Sequence, residues 1–544
     1  MTIAKEISNR AERPNLKWAE MMRSLPAELS AHFMTDEDFL SRITLPGKMQ
    51  EYPPLDLIAI PTKGRAEALG NCLESIVADP AVGTRNLSIL ISDASDGEVE
   101  AASTRATIES IAAKSSISFI YLGERYKRLV SQRLIKENIP SDVVKFCLSI
   151  GQGFQNHYGA NRNLILLATI GHRVLGCDDD VMFYGPDESN TNRIECFDHH
   201  DPYEYDWHSD HDSCLSDTVP NCNSILSFHG AFLGATVPQI VKDPRTDHSK
   251  SCECIVLNAL TGQGYVSVTT MGTLGSPTTL SPLPLLFSCR RKLPLNENNN
   301  GLQIDQLAST LKVKRFVHKA AFGHRTPFLA AVYGFDNSRL LPPFFPIGRG
   351  EDSLWGKLLS ESGVDFFMHL PSTTLHQRPK AHRGYSISAP AAFRQTQIVD
   401  LLQECLGHAL LGRTHASLDR QMNDFSAFLS TTATLSTRSF TSFLNGLRRS
   451  QAKRHLDKIS SYLDGKYTLY EWQRDSLKEC RSSVESALCE ESLWIPVEAQ
   501  MKQTDTIAKA LKEKFRLYAQ LLNYWPLMRE VTKDIDWVKL SSKL

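Results

Sequence analysis

The chain has 544 residues, with 60 basic and 61 acidic side chains and a formal net charge of −1 at pH 7. This balance provides no overall attraction for nucleic acid or for an anionic membrane surface, so nucleic-acid binding would need a local basic patch. The hydrophobic content of 42% and the charged content of 22% are those of a folded globular protein. The length predicts about three structural units.

Neither membrane insertion nor secretion is indicated by the sequence. The best apolar run, residues 164–170, is far shorter than the ~20 residues that a spanning helix needs, and the first residues contain no apolar signal core. The 12 cysteines are scattered without paired C-x-x-C motifs, which is typical of free thiols in a reducing compartment. We therefore expect a cytoplasmic protein with no membrane span and no nucleic-acid partner.

Short apolar strands alternate with amphipathic helices in the first third of the chain. Strands are predicted at residues 57–60, 87–91, 117–122, 143–150 and 173–177, and helices at residues 65–77, 98–114 and 158–170. Strands at residues 265–270 and 329–335 follow, and a long periodic helical pattern begins near residue 390. This alternation forms βαβ units, so we predict an α/β fold with a mainly parallel sheet flanked by helices.

Changes in composition predict three parts of the chain. Residues 1–50 would form an N-terminal helical extension, residues 51–389 the α/β domain with an insertion over residues 240–325, and residues 390–544 an additional C-terminal all-helical domain. In the last part, apolar positions are expected to form a core and the basic residues from Arg448 to Lys458 a solvated face. The alternative is that these helices form a homodimer or dock a macromolecular acceptor.

The most informative stretch is an acidic triplet after the strand predicted at residues 173–177. Asp178, Asp179 and Asp180 follow this strand directly, and the helix that precedes it begins at Gly159–Asn163. Sheets of this kind bind ligands at the carboxyl ends of their strands. Three adjacent carboxylates repel one another unless a cation or hydrogen-bond donors compensate them. A divalent metal ion that also contacts a diphosphate explains the pattern, and a solvated acidic loop is the alternative.

Five short motifs follow one another in a characteristic order. They are Ile60-Pro61-Thr62-Lys63-Gly64-Arg65, Ile91-Ser92-Asp93-Ala94-Ser95-Asp96, Gly159-Ala160-Asn161-Arg162-Asn163, Asp178-Asp179-Asp180 and Gly350-Glu351-Asp352. This ordered set resembles glycosyltransferases with the GT-A fold, closest to the family-2 type, over residues 55–385 and weakly over residues 185–325. The resemblance implies a GT-A-like sheet, a nucleotide-diphosphate sugar as donor and a Mn²⁺ or Mg²⁺ ion.

The resemblance also implies roles on the donor side of the site. Asp93 would contact the nucleobase, usually uracil, and Pro61, Thr62 and Arg65 would form the turn against the nucleotide. From the residues alone, the alternative is that Asp93 merely caps the next helix, together with Ser95. Arg162 and Asn163 begin the helix before the triplet, where Arg162 would pair with phosphate or brace the aspartates. Its alternative is a salt bridge that only holds the loop.

For the triplet, the resemblance implies that Asp178 faces the ribose and that Asp180 binds the metal ion. Asp179 points the other way on an extended backbone and would be structural or meet the sugar. His376 lies where these enzymes often take a further metal ligand from a histidine, and nearby His369 is its competitor. Hard oxygen ligands suit Mn²⁺ or Mg²⁺ better than zinc.

Glu351 and Asp352 open a predicted helix on what the resemblance makes the acceptor side. Asp352 would be the general base that deprotonates an acceptor hydroxyl as it attacks the anomeric carbon, which inverts the configuration. Glu351 would hold the acceptor or exchange roles with Asp352. The alternative is that both acids only favour the dipole of the helix that they begin.

Two further segments fall between these motifs. A loop dense in His and Asp, which covers residues 195–217 and includes His199 and His200, is either a zinc site or a flexible cover over the donor. Residues 228–234 lie where the resembled family lines the donor and acceptor cleft. Gly230 and Gly234 would there allow a close approach of a ligand to the backbone.

Other functions remain open on these residues. A sugar-phosphate nucleotidyltransferase on a related fold would carry a glycine-rich basic loop after the first strand, for which Lys63-Gly64-Arg65 is a poor substitute. A metal-dependent hydrolase would use the His/Asp-rich loop, and a non-catalytic scaffold the C-terminal helices. We predict a metal-dependent, inverting glycosyltransferase of the hexosyltransferase type. Its donor would be a nucleotide sugar, by preference UDP-linked, and its acceptor an unidentified glycan, peptide or small molecule.

Overall fold

A computed structural model describes the residues that build a large sheet, the helices around it and the C-terminal helices. These are residues 40, 43, 55–82, 85–149, 158–183, 193–198, 201–208, 224–248, 251–277, 279, 283–287, 312–324, 328–378, 388–411, 417–467, 469–489, 496 and 504–537. The predicted N-terminal extension, residues 1–50, lies outside these ranges except for Leu40 and Ile43. The nine cysteines among the described residues are free thiols.

In this part of the chain, thirteen strands form one sheet. They are β1 (Leu57–Thr62), β2 (Ser88–Asp93), β3 (Ser118–Leu122), β4 (Arg173–Cys177), β5 (Val181–Met182), β6 (Ile194–Asp198), β7 (Glu204–His208), β8 (Thr246–Asp247), β9 (Tyr265–Gly275), β10 (Lys312–Phe316), β11 (Ala320–His324), β12 (Val332–Asp336) and β13 (Asp365–His376). Their order across the sheet is β3-β2-β1-β4-β12-β9-β13-β11-β6-β8, with β5, β7 and β10 paired beside this path.

The strand directions determine which side chains meet at one edge. β1, β2, β3 and β4 are parallel to their neighbours. β12 runs antiparallel between β4 and β9, so β9 and its parallel neighbour β13 run in the direction of β4. The carboxyl ends of β1, β2, β4 and β13 therefore lie along the same edge of the sheet, which is where such sheets bind ligands.

Helices cover both faces of the sheet. Those in the α/β part are α1 (Ala66–Val77), α2 (Glu98–Ala112), α3 (Glu124–Lys136), α4 (Ser141–Leu148), α5 (Tyr158–Ala168), α6 (Ile225–Gly230), α7 (Val237–Lys242), α8 (Glu253–Thr261), α9 (Leu283–Phe287) and α10 (Glu351–Ser360). The C-terminal region contains α11 (Ala389–Arg394), α12 (Ile398–Ala409), α13 (Leu418–Thr434), α14 (Thr437–Ser461), α15 (Glu471–Leu488) and α16 (Thr504–Thr532), with a π-helical turn at Tyr462–Lys466. No helix in the described ranges is long and apolar enough to cross a membrane.

The predicted α/β architecture with a C-terminal helical region is confirmed. The sheet is parallel across its first four strands and mixed beyond them. Alternate side chains of β1 belong to two cores: Ile58 and Ile60 pack with α1 and α2, whereas Leu57 and Ala59 face the core that includes α4, α5 and the C-terminal helices. This is the pattern of a strand that is covered on both faces.

The strand predicted at residues 143–150 is wrong, because this segment forms the helix α4. The backbone N–H of Val144 donates to the carbonyl of Pro140, and the helix ends at Ser149, whose φ is 52°. Five of its eight residues are buried, so the helix is covered on most of its circumference. A short, continuous apolar run fits a buried strand and a buried helix equally well, so periodicity alone did not separate the two.

Arg448 does not lie on a solvated face, contrary to the prediction. Its side chain is buried, and its guanidinium donates to the carbonyls of Phe393, Arg394 and Gln395 at 3.3–3.4 Å. These carbonyls lie at the end of α11, where a helix leaves its acceptors unpaired. Arg448 therefore fastens α14 to the end of α11, a role that the local charge pattern does not indicate.

Candidate active site

The acidic triplet follows β4 at the edge of the sheet where the carboxyl ends of β1, β2, β4 and β13 lie. Asp179 is fully buried and accepts a 2.6 Å hydrogen bond from the hydroxyl of Thr62, which ends β1. The guanidinium of Arg65, from the turn after β1, pairs with Asp179 at 2.6 Å and with Asp180 at 2.9 Å. Asp178 pairs with Arg162 at 2.7 Å. Arginine side chains of the protein thus compensate the repulsion expected among the three acids.

Asp180 meets His376 because β5 pairs with the end of β13. The Nε2 atom of His376 lies 3.5 Å from Oδ1 of Asp180. Its Nδ1 atom lies 2.8 Å from the carbonyl oxygen of Ser276, which can only accept, so Nδ1 carries the proton of that hydrogen bond. Burial acts to raise the pKa of Asp180, but His376 and Arg65 hold this pKa below its ordinary value.

The side chains of Asp180 and His376 fit a divalent metal ion. A carboxylate oxygen suits Mn²⁺ or Mg²⁺, and a carbonyl that fixes Nδ1–H is typical of metal-binding histidines. The 3.5 Å between Nε2 and Oδ1 is roughly the spacing of two ligands that share one ion at about 2.1 Å. Groups of three or more His, Cys, Asp or Glu side chains arranged for a metal are absent from the described residues, so further ligands would come from substrate and water.

The competing histidine, His369, lies away from the triplet. It is fully buried in the middle of β13, where its Nδ1 atom is 3.2 Å from the hydroxyl of Thr270. Its ring packs edge-on against Tyr203, with 5.1 Å between the ring centroids. Of the two histidines named from the sequence, His376 is therefore the one that reaches Asp180.

Arg162 connects the triplet to the acid pair at the start of α10. Its guanidinium contacts Asp178 at 2.7 Å and the carboxylate of Glu351 at 3.4 Å, and it donates to the hydroxyl of Tyr333 at 3.2 Å. The side chain is buried, so these contacts act at low dielectric. Tyr333 was not predicted, because β12, which carries it, gave no local sign that it borders β4.

Glu351 and Asp352 begin α10 after Gly350, whose φ of 82° is the left-handed conformation that favours glycine. Oδ2 of Asp352 accepts a 3.1 Å hydrogen bond from the N–H of Ala330. Glu351 is buried, and this burial, together with the charge of Asp352, raises the pKa of Glu351 to about 7 against the effect of Arg162. A carboxyl group with a near-neutral pKa is well matched to proton transfer at neutral pH.

Two asparagines at the start of α5 hold this edge of the sheet together. The amide of Asn161 donates to the carbonyls of Thr62 (3.2 Å) and Ser92 (2.9 Å), so it joins the ends of β1 and β2. Asn163 donates to the carbonyl of Phe344 and accepts from its N–H, at 3.0 and 2.8 Å. The sequence predicts no role for Asn161 and only the position of Asn163 at the start of the helix. A buried amide that bonds to backbone groups of distant segments cannot be recognised from the residues next to it in the sequence.

Asp93 ends β2 as a buried acceptor. Its Oδ1 atom accepts from the N–H and the hydroxyl of Ser95, at 2.8 and 2.7 Å, and its Oδ2 atom accepts from the hydroxyl of Tyr121 at 2.8 Å. The alternative in which Asp93 and Ser95 cap the next helix is wrong, because Gly97 precedes α2 and no side chain caps that helix. Pro61 lies half-buried in β1, directly before Thr62.

The segment 228–234 does not line the site, contrary to the expectation. The carbonyls of Gly230 and Leu233 accept hydrogen bonds from Arg173, the first residue of β4. The segment therefore lies at the amino end of β4, at the sheet edge opposite to the triplet. In the His/Asp-rich loop, His199, His200 and residues 209–217 lie outside the described residues, so the zinc interpretation stays a prediction.

Two further arginines, which no sequence motif indicated, also lie near the triplet. Arg378 follows His376 by two residues; burial lowers its pKa, Asp180 opposes this, and Arg349 lowers it further. Arg349 donates to the hydroxyl of Tyr158 at 3.4 Å. Positive charge on this side of Asp180 is suited to a phosphate group.

No protein-family profile and no curated protein sequence matches the chain. Among solved structures, the chain is similar to the mannosyltransferase PcManGT from Pyrobaculum calidifontis in complex with GDP-Man and Mn2+. The identity is 11%, the match covers 89% of this chain and 99% of that chain, and the TM-score is 0.29. A likeness at this level carries no argument about what the present chain binds or does.

Proposed function

We propose that the protein is a metal-dependent, inverting glycosyltransferase that moves a hexose from a nucleotide-diphosphate sugar to a nucleophile of an acceptor. The observation that supports this most is that the triplet joins two sets of contacts. Asp180 meets His376 and Arg65, which also pairs with Asp179, and Asp178 meets Arg162, which reaches Glu351. This arrangement brings a pair of metal-compatible ligands and a carboxyl group of near-neutral pKa to one edge of the sheet. A metal ion would assist the departure of the diphosphate, and a carboxylate would accept the proton of the acceptor.

On the donor side, Asp180 and His376 would hold a Mn²⁺ or Mg²⁺ ion. When bound, this ion supplies Lewis-acid neutralisation of the departing nucleoside diphosphate. Asp178 would contact the ribose, and Asp93 the base, which we expect to be uracil. Asp179 is buried against Thr62 and Arg65, so its part is to position the turn after β1.

On the acceptor side, the pair Glu351 and Asp352 would take the proton. As the acceptor O–H attacks the anomeric carbon, its proton passes to a carboxylate of this pair, and the bond from that carbon to the phosphate oxygen breaks. The leaving group departs from the opposite face, so the configuration inverts. The near-neutral pKa of Glu351 makes it the member whose protonation changes at physiological pH.

Donor hydrolysis in the absence of acceptor tests this proposal. Purified protein is incubated with a panel of UDP- and GDP-sugars, with Mn²⁺ or with EDTA, and the released nucleoside diphosphate is measured. We expect slow release that needs the metal and is lost in Asp180→Asn. No donor binding and no hydrolysis under either condition would contradict the proposal, as would release of pyrophosphate from a nucleoside triphosphate and a sugar phosphate.

The cytoplasmic location and a homodimer formed through the C-terminal helices stay predictions. Leu411 and Leu527 are large apolar side chains exposed in the C-terminal region, and a dimer contact would cover surface of this kind. Sedimentation of the full chain tests the dimer, because a single species at the chain mass of 60.9 kDa would contradict it.

A further inference from the structure

The buried side chain of Arg162 has an N–H group that makes no hydrogen bond. Its Nη2 atom contacts Asp178 at 2.7 Å, and its Nη1 atom donates to the hydroxyl of Tyr333 at 3.2 Å. In the described part of the chain its Nε–H has no acceptor, although Nε lies only 3.4 Å from Oε1 of Glu351. A buried donor without an acceptor is unfavourable, and native structures contain few of them. The contact between Arg162 and Glu351 is therefore close in distance but incomplete as a hydrogen bond.

Packing holds both side chains near the position in which this bond would form. Arg162 and Glu351 are each 6% exposed. The central guanidinium carbon of Arg162 lies 5.8 Å from the ring centroids of both Tyr333 and Phe344. An N–H···O hydrogen bond has its donor and acceptor atoms about 2.9 Å apart, so a shift of about 0.5 Å with a better alignment completes the bond. Catalytic hydrogen bonds often tighten in this way only when a ligand is bound.

Asp178 and Glu351 compete for the same guanidinium. The charged groups that act on Glu351 are Asp352 on its own helix, Arg162 on α5 and Asp178 after β4; the two aspartates raise the pKa of Glu351 and Arg162 lowers it. Asp178 has the shorter contact with Arg162, at 2.7 Å against 3.4 Å for Glu351. The side chain of Asp178 is 30% exposed and that of Glu351 is 8% exposed, so a ligand reaches Asp178 first.

We propose that Arg162 is a positioning residue that couples donor contact at Asp178 to deprotonation of Glu351. A ribose hydroxyl of the donor donates to Asp178 and weakens the pairing of Asp178 with Arg162. Nε–H of Arg162 then donates to Glu351, which favours the carboxylate, and the proton of Glu351 passes to solvent. The carboxylate is then able to accept the proton of the acceptor hydroxyl. This inference rests on the proposed function and adds that the base is formed in the donor complex.

Proton release during nucleotide binding tests the inference. UDP and GDP are titrated with Mn²⁺ into the full chain at pH 7, in buffers that differ in ionisation enthalpy, so that calorimetry counts the protons released. Glu351→Gln provides the reference, because subtracting its value removes the protons that come from the nucleotide and the metal ion. Since the pKa of Glu351 is about 7, wild type is expected to release up to about half a proton more than Glu351→Gln.

Arg162→Lys separates the coupling from the positive charge alone. Lysine keeps the charge but lacks the planar set of donors that can contact two carboxylates at once. Arg162→Lys is therefore expected to release no more protons than Glu351→Gln. Arg125→Lys, on the exposed surface of α3, is the matched control and is expected to release as many as wild type.

Two results would overturn the inference. One is equal proton release in wild type and Glu351→Gln, a comparison that holds even if Arg162→Lys does not fold. The other is full wild-type release in Arg162→Lys. If wild type binds neither nucleotide, the proposed function fails as well; if it binds one of them without the additional proton release, only the inference fails.

Discussion

The three aspartates of the triplet have different surroundings although they are consecutive in the chain. Asp179 is enclosed by Thr62 and Arg65, whereas Asp180 faces His376 and Asp178 is 30% exposed beside Arg162. The triplet forms a turn, in which the N–H of Val181 donates to the carbonyl of Asp178 at 3.3 Å, and not the extended backbone that the sequence predicted. The turn directs the three side chains to different neighbours. Substitutions at Asp179 are therefore expected to act on stability, and those at Asp180 on ion binding.

Asp179→Asn is expected to lower the free energy of unfolding by about 1–3 kcal/mol, because it weakens a buried partner of Arg65 and Thr62. Chemical denaturation of the variant beside wild type measures the loss. An unchanged free energy of unfolding would count against a bracing role for Asp179.

Glu351 gives stability a pH dependence of known sign. Folding raises the pKa of this carboxyl from 4.5 to about 7, so between these values the folded protein keeps a proton that the unfolded chain has lost. The free energy of unfolding therefore falls as the pH rises through this window. Glu351→Gln removes this effect. Between about pH 5 and 8, urea denaturation is expected to show that the free energy of unfolding of the variant declines by up to about 3 kcal/mol less than that of wild type.

Glu109→Gln is the matched control, since Glu109 is exposed on α2. It is expected to keep the pH dependence of wild type. A Glu351→Gln variant with the slope of wild type would show that this carboxyl is ionised throughout, and it would then have no near-neutral proton to exchange with an acceptor.

At the scale of elements, close packing fixes the start of α5 against the chain that leads into α10. A Cβ atom at Gly159 would lie 1.9 Å from the carbonyl oxygen of Phe345, so the two backbones would have to separate. This movement would displace Asn161 and Arg162, which follow on the same helix. Gly159→Ala is therefore expected to lower both the unfolding temperature and donor hydrolysis.

A second helical glycine provides the comparison. Gly446 in α14 has nothing within 4 Å of the position that its Cβ would take, so Gly446→Ala is expected to raise stability by up to about 1 kcal/mol. Thermal unfolding of both variants side by side measures the difference. Shifts of the same sign would contradict the contact at Gly159.

Strands could be predicted from the sequence where a short run of apolar residues marks them by itself. β1, β2, β3 and β4 lie within a few residues of their predicted positions, and strand-end acids such as Asp93 and Asp180 could be named as site residues from this pattern. The pairing of β5 with the end of β13, which brings His376 to Asp180, depends on chain segments far apart in sequence. The contacts of Tyr121 with Asp93 and of Tyr333 with Arg162 also join segments that are far apart in sequence. Residues 228–234 were misplaced because sequence order does not say which sheet edge a segment occupies.

Across the whole molecule, the C-terminal helices share a core with the sheet. Tyr518 and Trp525 of α16 donate to the carbonyls of Pro343 and Leu341 at 3.2 and 2.6 Å. These carbonyls belong to the chain between β12 and α10, which leads to Glu351. α16 thus supports the segment that leads to the proposed acceptor-side acids, and a purely peripheral role for α16 is excluded.

Removal of residues 390–544 is therefore expected to abolish donor hydrolysis and acceptor transfer together, because the remaining chain loses one wall of its core. Circular dichroism and donor hydrolysis of the shortened chain check this expectation. Arg529→Met is a milder probe, since Arg529 donates to the carbonyls of Asn337 and Arg339. A shortened chain that folds and hydrolyses donor would contradict a supporting role of the C-terminal helices.

The most direct measurement compares UDP affinity with Mn²⁺ and with EDTA in wild type, Asp180→Asn and His376→Gln. If these two side chains hold an ion that attracts the diphosphate, Mn²⁺ strengthens UDP binding to wild type by about tenfold or more and to neither variant. The same gain with Mn²⁺ in Asp180→Asn as in wild type would contradict the metal site and, with it, the catalytic assignment of this edge.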